Sequence, residues 1–253
     1  YSRRLAELLN LANMAPEKDL KSILSKLQYT DDAKVLQQVT EHMRQVQRRM
    51  AGIKRKLVVM SGKGGVGKSM TTVNLALAFT RSGNRVGLLD VDLNGPCVPR
   101  MTGLHGQSLT MTPEGAIPPI GPLGIKVASM DFFLDATSPV RWKGPMDLSP
   151  VWLGLMEMNV IREFLADVIW GELDYLLVDL PPGAAADKPP VIAGYIPDLA
   201  GAIVVTTPSE VASDVVQKSV TYARDMGIHV LGMVENMSQY RCPSCGVESE
   251  LFE

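Results

Sequence analysis

Apolar residues change their spacing along the chain close to residue 56. Upstream, one apolar stripe recurs at helical intervals, at positions 36, 39, 43, 46 and 50, and Thr30 with two following aspartates is typical of a helix N-cap. Downstream, short continuous apolar runs alternate with helix-like segments. This pattern predicts a helical N-terminal appendage over residues 1–55 and a larger domain over residues 56–253.

Six apolar runs in the larger part predict six β-strands, at residues 57–60, 86–90, 125–128, 175–179, 202–206 and 230–234. None alternates polar and apolar residues, which is typical of parallel strands covered on both faces. Helices are predicted between them, at residues 69–81, about 150–169 and 209–226. The predicted fold class is therefore α/β, a mostly parallel sheet covered by helices on both faces, with ligands at the carboxyl ends of its strands. Residues 94–124 are rich in Gly and Pro and are predicted to form a long mobile connection.

Composition narrows the function classes only slightly. The chain has 253 residues, is 46% hydrophobic and carries a formal net charge of -2. A chain this close to neutral has no overall attraction for nucleic acid or for an anionic membrane, so neither partner is predicted. No apolar run reaches the roughly 20 residues that a membrane-spanning helix needs. We therefore expect a cytoplasmic protein.

The first predicted strand runs directly into a glycine-rich loop that satisfies the pattern GxxxxGK(S/T). The loop reads Gly62-Lys63-Gly64-Gly65-Val66-Gly67-Lys68-Ser69, and Met70 follows it. Glycines let backbone N–H groups curl around a phosphate chain at a helix N-terminus. In this pattern Lys68 reaches the β and γ phosphates and the Ser69 hydroxyl can bind Mg²⁺. The strand, loop and helix in this order predict a nucleotide site, against the alternative of a glycine turn without a ligand.

Polar residues at the carboxyl ends of later strands extend this site. Asp90 and Asp92 end the second run, and Asp179 ends the fourth. We predict that Asp179 holds Mg²⁺ through water together with Asp90, and that Asp92 orients the attacking water. Gly183, four residues after Asp179, is expected to sense the γ-phosphate, and Asn236 to hydrogen bond adenine through its amide. The alternatives are a helix cap or surface charge for each aspartate and a turn for the asparagine.

Lys63 and the cysteines need separate explanations. A lysine at the position of Lys63 is not required to cradle phosphate within one subunit, and a solvated loop lysine is the alternative. Cys242 and Cys245 form one CxxC, whereas a zinc ion or an iron–sulfur cluster usually takes about four protein ligands. A twofold axis beside the pair would supply four, although a redox pair, a zinc clip or a chance spacing also fits. Cys97 is predicted to be a small buried residue.

Together these motifs resemble the Mrp family of P-loop ATPases, within the deviant Walker A group that includes MinD, ParA and the nitrogenase iron protein. The resemblance spans about residues 56–246. Besides the glycine-rich loop it rests on Asp90-Val91-Asp92 with Gly95-Pro96, on residues 141–146, 170–175, 179–183, 204–208 and 231–238, and on Cys242-Pro243-Ser244-Cys245.

The resemblance implies a homodimeric ATP hydrolase that carries a [4Fe-4S] cluster and delivers it to apo-proteins. Lys63 would reach across the dimer interface to the partner's nucleotide and act with Lys68 and Asp92 in catalysis. Cys242 and Cys245 of two subunits would bridge the cluster. A zinc-bridged dimeric ATPase that acts as a nucleotide-dependent switch on a protein partner is the alternative.

Three features depart from the family pattern. Residues 1–52 do not resemble the small α+β domain that precedes the ATPase in bacterial relatives. Ala184 to Ala186 replace a segment that in the family usually contains a hydroxyl and a second glycine. At these positions the resemblance therefore does not imply the family's response to γ-phosphate or its hydrolysis. The family's last strand and helix have no counterpart before Glu253, so we expect the domain to be incomplete as given.

Overall fold

The computed structural model describes residues 30–92, 95–133, 161–162, 164–183, 192–208 and 210–250. The predictions for residues 1–29, for the motif at 141–146, for most of the helix at about 150–169 and for Ala184 to Ala186 lie outside these residues. Within the described part, no helix is both long and apolar enough to cross a membrane.

Six parallel strands form the central sheet. They are β1 (Ile53–Ser61), β2 (Val86–Asp90), β5 (Lys126–Ser129), β6 (Leu173–Asp179), β7 (Leu199–Thr206) and β8 (Val230–Glu235), in the order β5-β2-β6-β1-β7-β8. The described helices are α1 (Thr30–Met50), α2 (Lys68–Arg81), α3 (Val98–Met101) and α4 (Glu210–Asp225). The described residues also contain two small antiparallel hairpins, β3 (Thr110–Thr112) with β4 (Gly115–Ile117) and β9 (Gln239–Arg241) with β10 (Glu248–Glu250). The predicted α/β class with a helix-flanked parallel sheet is confirmed.

The strands at the centre of the sheet are mostly buried, which is why apolar runs identified them. Every residue of β2 is buried, and β6 contributes Leu176, Leu177 and Val178 to the core. The helix preceding the sheet joins the same core, because Val46 and Met50 of α1 are buried in it. Arg49 in the last turn of α1 also donates hydrogen bonds to the backbone carbonyls of Ala166 and Glu114.

β1 starts earlier than its apolar run predicted. The strand begins at Ile53, where it pairs with Leu173 of β6, and not at residue 57. Lys54 and Arg55 separate Ile53 from the apolar run from which the strand was predicted, and their charged groups lie at the surface. The ammonium of Lys54 is 2.8 Å from Asp174, and Arg55 donates a hydrogen bond of 2.9 Å to the Tyr175 hydroxyl.

The prediction of a long mobile connection over residues 94–124 was wrong. The described part, residues 95–124, contains α3, the β3–β4 hairpin and a turn of 3-10 helix at Pro122–Gly124. Prolines begin structure here instead of breaking it, since Pro99 lies in the first turn of α3 and Pro122 begins the 3-10 turn. Gly and Pro content alone therefore misidentified a segment that folds onto the sheet.

Candidate nucleotide site and cysteine hairpin

The glycine-rich loop lies where β1 ends and α2 begins, at the carboxyl edge of the sheet. Gly65 and Gly67 have φ angles of 78° and 85°, in the left-handed region that favours glycine. A Cβ added at Gly64 or Gly65 would meet no atom within 4 Å, so the outer side of the loop is open. The loop therefore has the shape of a cradle with free space where a phosphate chain would lie.

Beneath the loop, three side chains converge on Asp179 at the end of β6. The Lys68 ammonium lies 2.8 Å from its Oδ1, and Ser69 Oγ donates to its Oδ2 at 2.5 Å. Thr72 Oγ1 donates to Oδ1 at 2.8 Å. Lys68 is 6% exposed and Asp179 is fully buried, so each charge compensates the other in a region that water does not reach.

Sequence reasoning missed Thr72. The signal was present, because Thr72 follows Lys68 by one helical turn and so lies on the same face of α2. Its hydroxyl also donates to the Lys68 carbonyl at 2.9 Å, within the helix. Thr72 thus ties the first turn of α2 to the carboxylate of the neighbouring strand.

Asp90 lies beside Asp179, because β2 pairs with β6 in a register that aligns the two residues. Its carboxylate accepts hydrogen bonds from the backbone N–H groups of Asp92, at 3.1 Å, and Val98, at 3.2 Å. Ser129 Oγ donates to it at 3.3 Å. Burial first, and then the negative charge of Asp179, raises the pKa of Asp90 to about 7. A cation placed between the two carboxylates would reverse this shift.

These residues fit a magnesium ion bound with a nucleotide. Ser69 Oγ, Asp179 and Asp90 are hard oxygen ligands, and they lie together at the base of the loop. Asp92 behaves differently, since its Oδ1 accepts a hydrogen bond from the Gly95 N–H at 3.3 Å in the following turn. Its role in orienting water stays a prediction.

Two further side chains of the loop region reach the surface. Lys63 is partly exposed, and Met70 in the first turn of α2 is exposed. Gly62 follows the buried Ser61, whose hydroxyl has no hydrogen-bond partner among the described residues. The crossing of Lys63 to a second subunit stays a prediction.

The segment after Asp179 is hydrogen bonded to the end of β1. Leu180 donates its N–H to the Val59 carbonyl and Gly183 donates to the Ser61 carbonyl, each at 3.1 Å. The two prolines between them have no N–H to donate. The Gly183 N–H that we expect to sense γ-phosphate is therefore held by Ser61 in this structure, and sensing stays a prediction.

Asn236 packs against the glycine-rich loop. Its Nδ2 donates to the Val66 carbonyl at 2.9 Å, and its backbone N–H donates to the Thr206 carbonyl at 2.8 Å. A Cβ on Gly67 would lie 2.2 Å from that Nδ2, so only glycine fits there. Its predicted adenine contact stays a prediction. Val66 and Asn236 are 170 positions apart, and no local pattern relates them.

Cys242 and Cys245 lie in the tight turn between β9 and β10. Cys242 donates its N–H to the Val247 carbonyl at 2.9 Å, and Gly246 donates to the Cys242 carbonyl at 2.8 Å. The backbone N–H groups of Cys245 and then Ser244 lower the pKa of the Cys242 thiol, because they stabilise its thiolate. Within the described residues, no group of three or more His, Cys, Asp or Glu side chains could hold a metal ion.

Cys97 was predicted to be buried, and that prediction was wrong. The residue is exposed and its Sγ donates to the Gly95 carbonyl at 3.1 Å. It lies in the turn that precedes α3, where its neighbour Val98 takes the buried position.

Comparison with known proteins identifies the family. The model of the family described as "ParA: NUBPL iron-transfer P-loop NTPase" matches residues 52–253. The chain belongs to this family. The predicted resemblance to P-loop ATPases of the deviant Walker A group is thereby confirmed at the level of the family.

Relatives of this chain include archaeal and fungal proteins. The chain is 48% identical over 223 residues to the iron-sulfur cluster carrier protein of Saccharolobus solfataricus, covering 88% of this chain and 72% of that one. It is 43% identical over 249 residues to the protein of the same name from Methanocaldococcus jannaschii, covering 98% and 78%. The cytosolic Fe-S cluster assembly factor cfd1 of Aspergillus oryzae is 41% identical over 226 residues, covering 79% and 69%.

A solved structure of the same kind supports the fold. The nucleotide-binding protein from Archaeoglobus fulgidus, in complex with ADP, superposes with a TM-score of 0.69 at 39% identity. The match covers 83% of this chain and 77% of that one. Over most of its length the chain thus has the fold of a nucleotide-binding relative.

Proposed function

We propose that this protein is an ATP-binding carrier that holds a [4Fe-4S] cluster between two subunits and passes it to apo-proteins. The observation that carries the proposal is the presence, in one domain, of an assembled phosphate loop and a CxxC turn whose backbone favours thiolate. The names of the archaeal relatives, iron-sulfur cluster carrier protein, support the same cargo. The name of the Aspergillus relative supports a cytosolic location.

The phosphate loop would bind ATP through the backbone N–H groups of residues 62 to 70. Lys68 is paired with Asp179 in this structure, and ATP would draw its ammonium toward the phosphates. Ser69 and Asp179, with Asp90 beside them, would hold Mg²⁺, which neutralises phosphate charge when bound. Asp92 is our candidate for orienting the attacking water. The expected hydrolysis is slow, because these groups position and polarise the nucleotide and none is a strong base.

Lys63 is our candidate for a contact in trans. It follows the first glycine of the loop and is partly exposed, so a second copy facing the loop could receive its ammonium. A cation delivered in this way to the phosphoryl group can raise the rate by roughly 10³ to 10⁵. Nucleotide hydrolysis would then depend on how the homodimer is assembled.

The cluster would be cargo and not a resident cofactor. One chain supplies two thiols in an exposed turn, whereas a [4Fe-4S] cluster takes four cysteines. Two copies related by a twofold axis would supply the set. Cysteines at the surface also leave the cluster within reach of the thiolates of an acceptor, which suits transfer to an apo-protein.

Anaerobic reconstitution with iron and sulfide tests this proposal. We expect about one [4Fe-4S] cluster per dimer by Mössbauer spectroscopy and metal counting, because four thiols complete one cluster. Cys242→Ser with Cys245→Ser should lose the cluster entirely and keep ATP binding. The matched control is Cys97→Ser, which removes an exposed thiol outside the turn and should retain the cluster.

A different metal would contradict the carrier function. Tight zinc at Cys242 and Cys245, with no cluster formed under anaerobic conditions, would favour the zinc-bridged switch. A cluster that persists in the double variant would place the cargo elsewhere in the protein.

A further inference from the structure

The residue that connects the glycine-rich loop to the cysteine turn is Asn236, directly after β8. Its side-chain Nδ2 donates to the Val66 carbonyl at 2.9 Å. Its backbone N–H donates to the Thr206 carbonyl at the end of β7, at 2.8 Å. One residue is thus bonded through its side chain to the loop and through its main chain to the sheet.

The contact with the loop is also steric. A Cβ on Gly67 would lie 2.2 Å from Asn236 Nδ2 and 3.9 Å from Met237 Cε, so both side chains cover this glycine closely. Gly67 is the residue from which α2 starts, and its φ angle of 85° belongs to the curve of the loop. Any rearrangement of the loop at Val66 or Gly67 must therefore displace Asn236 or break its hydrogen bond.

The link from Asn236 to the cysteines is short. Only Met237 and Ser238 separate it from β9, which begins at Gln239 and ends immediately before Cys242. Met237 has a φ angle of 60°, a conformation that few residues other than glycine adopt. The direction in which the hairpin leaves the sheet is thus set next to the loop contact.

We propose that Asn236 is a positioning residue that couples occupancy of the glycine-rich loop to the hold of the cysteine turn on its cluster. This inference rests on the proposed carrier function and adds to it the route of communication within one subunit. Phosphates bound to the loop N–H groups would shift the backbone at Val66 and Gly67. Asn236, which is bonded to Val66, would move with it and change the position of β9. Because coupling between two ligands is reciprocal, a cluster on the turn must change the affinity for ATP by the same factor.

The test compares the parent protein with Asn236→Ala and Asn236→Asp. The second variant keeps the size of the side chain and removes the donor that bonds Val66. The matched control is Asn84→Ala, since Asn84 Nδ2 also donates to a backbone carbonyl, that of Phe79 at 3.0 Å, but at the far end of α2. The nucleotide is a non-hydrolysable ATP analogue with Mg²⁺, and the metal-loaded form is the anaerobically reconstituted protein.

Two readouts are needed, the rate at which a chelator removes iron with and without the analogue, and the affinity for the analogue with and without the cluster. In the parent and in Asn84→Ala we expect the analogue to change the rate of iron release, and the cluster to change the affinity for the analogue by roughly 5- to 150-fold. In both Asn236 variants we expect both ratios to approach one. The cluster should still load in both variants and the analogue should still bind, more weakly if the amide also contacts adenine, whereas loss of folding would abolish both.

Several results would overturn the inference. Asn236 variants that keep the parent ratios would do so, as would a parent in which the analogue has no effect on iron release although the cluster loads. Weaker analogue binding with unchanged coupling would assign the amide to adenine. A parent that loads no cluster would contradict the carrier function itself, and the inference with it.

Discussion

The phosphate site and the cysteine turn are built in opposite ways. The charged groups of the phosphate site are buried, and Lys68, Thr72, Asp90 and Asp179 come from three elements that are distant in sequence. The cysteine turn is exposed, and all of its backbone hydrogen bonds join residues within a few positions. A buried site balances its charges within one chain, whereas an exposed turn with two thiols depends on another molecule for the rest of a metal set. The buried phosphate site suits a nucleotide whose binding changes contacts inside the fold. The exposed cysteine turn suits a cluster that is later released to another protein.

Removing the lysine from the buried site should give the largest effect on stability. In Lys68→Met the Asp179 carboxylate loses its cation while staying buried, so the free energy of unfolding should fall by about 3–5 kcal/mol. Urea denaturation of the nucleotide-free protein measures this. Lys63→Met is the matched control, because its ammonium is partly exposed and its loss should leave stability within about 0.5 kcal/mol of the parent. An unchanged stability of Lys68→Met would show that the pair contributes nothing to the fold.

The buried site should also make stability depend on pH in the acidic and neutral range. The pKa of Asp90 is raised from its ordinary value of 3.8 to about 7, so the folded protein holds a proton that the unfolded chain has released. Stability is therefore highest below pH 4 as far as this group is concerned, and it is lost as the pH rises through 7. The loss should reach about 4 kcal/mol at most.

Urea denaturation of the metal-free protein at pH 5 and pH 7.5 measures this dependence. Asp90→Asn should abolish this part of the difference, because a neutral amide has no proton to lose. Asp167→Asn, at an exposed position, should keep it. We expect the stability of the parent protein to fall from pH 5 to pH 7.5. An equally large rise would contradict the raised pKa of Asp90.

The smallest effect is expected where the fold adds one hydrogen bond to the site. Thr72→Val removes the hydroxyl that donates to the buried Asp179, which should lower the free energy of unfolding by about 1.5–3 kcal/mol. Thr80→Val on the same helix is the control, since Thr80 Oγ1 donates to the Ala76 carbonyl one turn earlier and, among the described residues, to no charged group. Thermal or urea unfolding of both variants measures the loss of unfolding free energy relative to the parent. Equal losses in the two variants would mean that the hydrogen bond to Asp179 adds nothing beyond helix packing.

Most of the sheet was predictable because its inner strands are largely buried on both faces. The edge strand β8 was also identified by its apolar run, although most of its residues are exposed. The runs at 86–90 and 202–206 coincide with β2 and with the end of β7, and the predicted helix at 69–81 differs from α2 by one residue at its start. Charged residues hid the start of β1, since Lys54 and Arg55 extend to the surface from a strand that already pairs with β6 at Ile53. Cys97 was misplaced for a similar reason, because a turn residue carries no periodic signal of its burial.

The sequence by itself determined the local features of this protein. The glycine-rich loop, the first turn of α2 and the CxxC turn each depend on neighbours a few residues away, and spacing along the chain encodes such geometry. Only the tertiary structure decided which distant residues meet. Asp90 faces Asp179 because β2 pairs with β6, and Asn236 reaches Val66 because β8 follows β7 in the sheet. Strand order results from the packing of the whole core, in which each strand's position depends on all the others, and no local stretch of residues carries it.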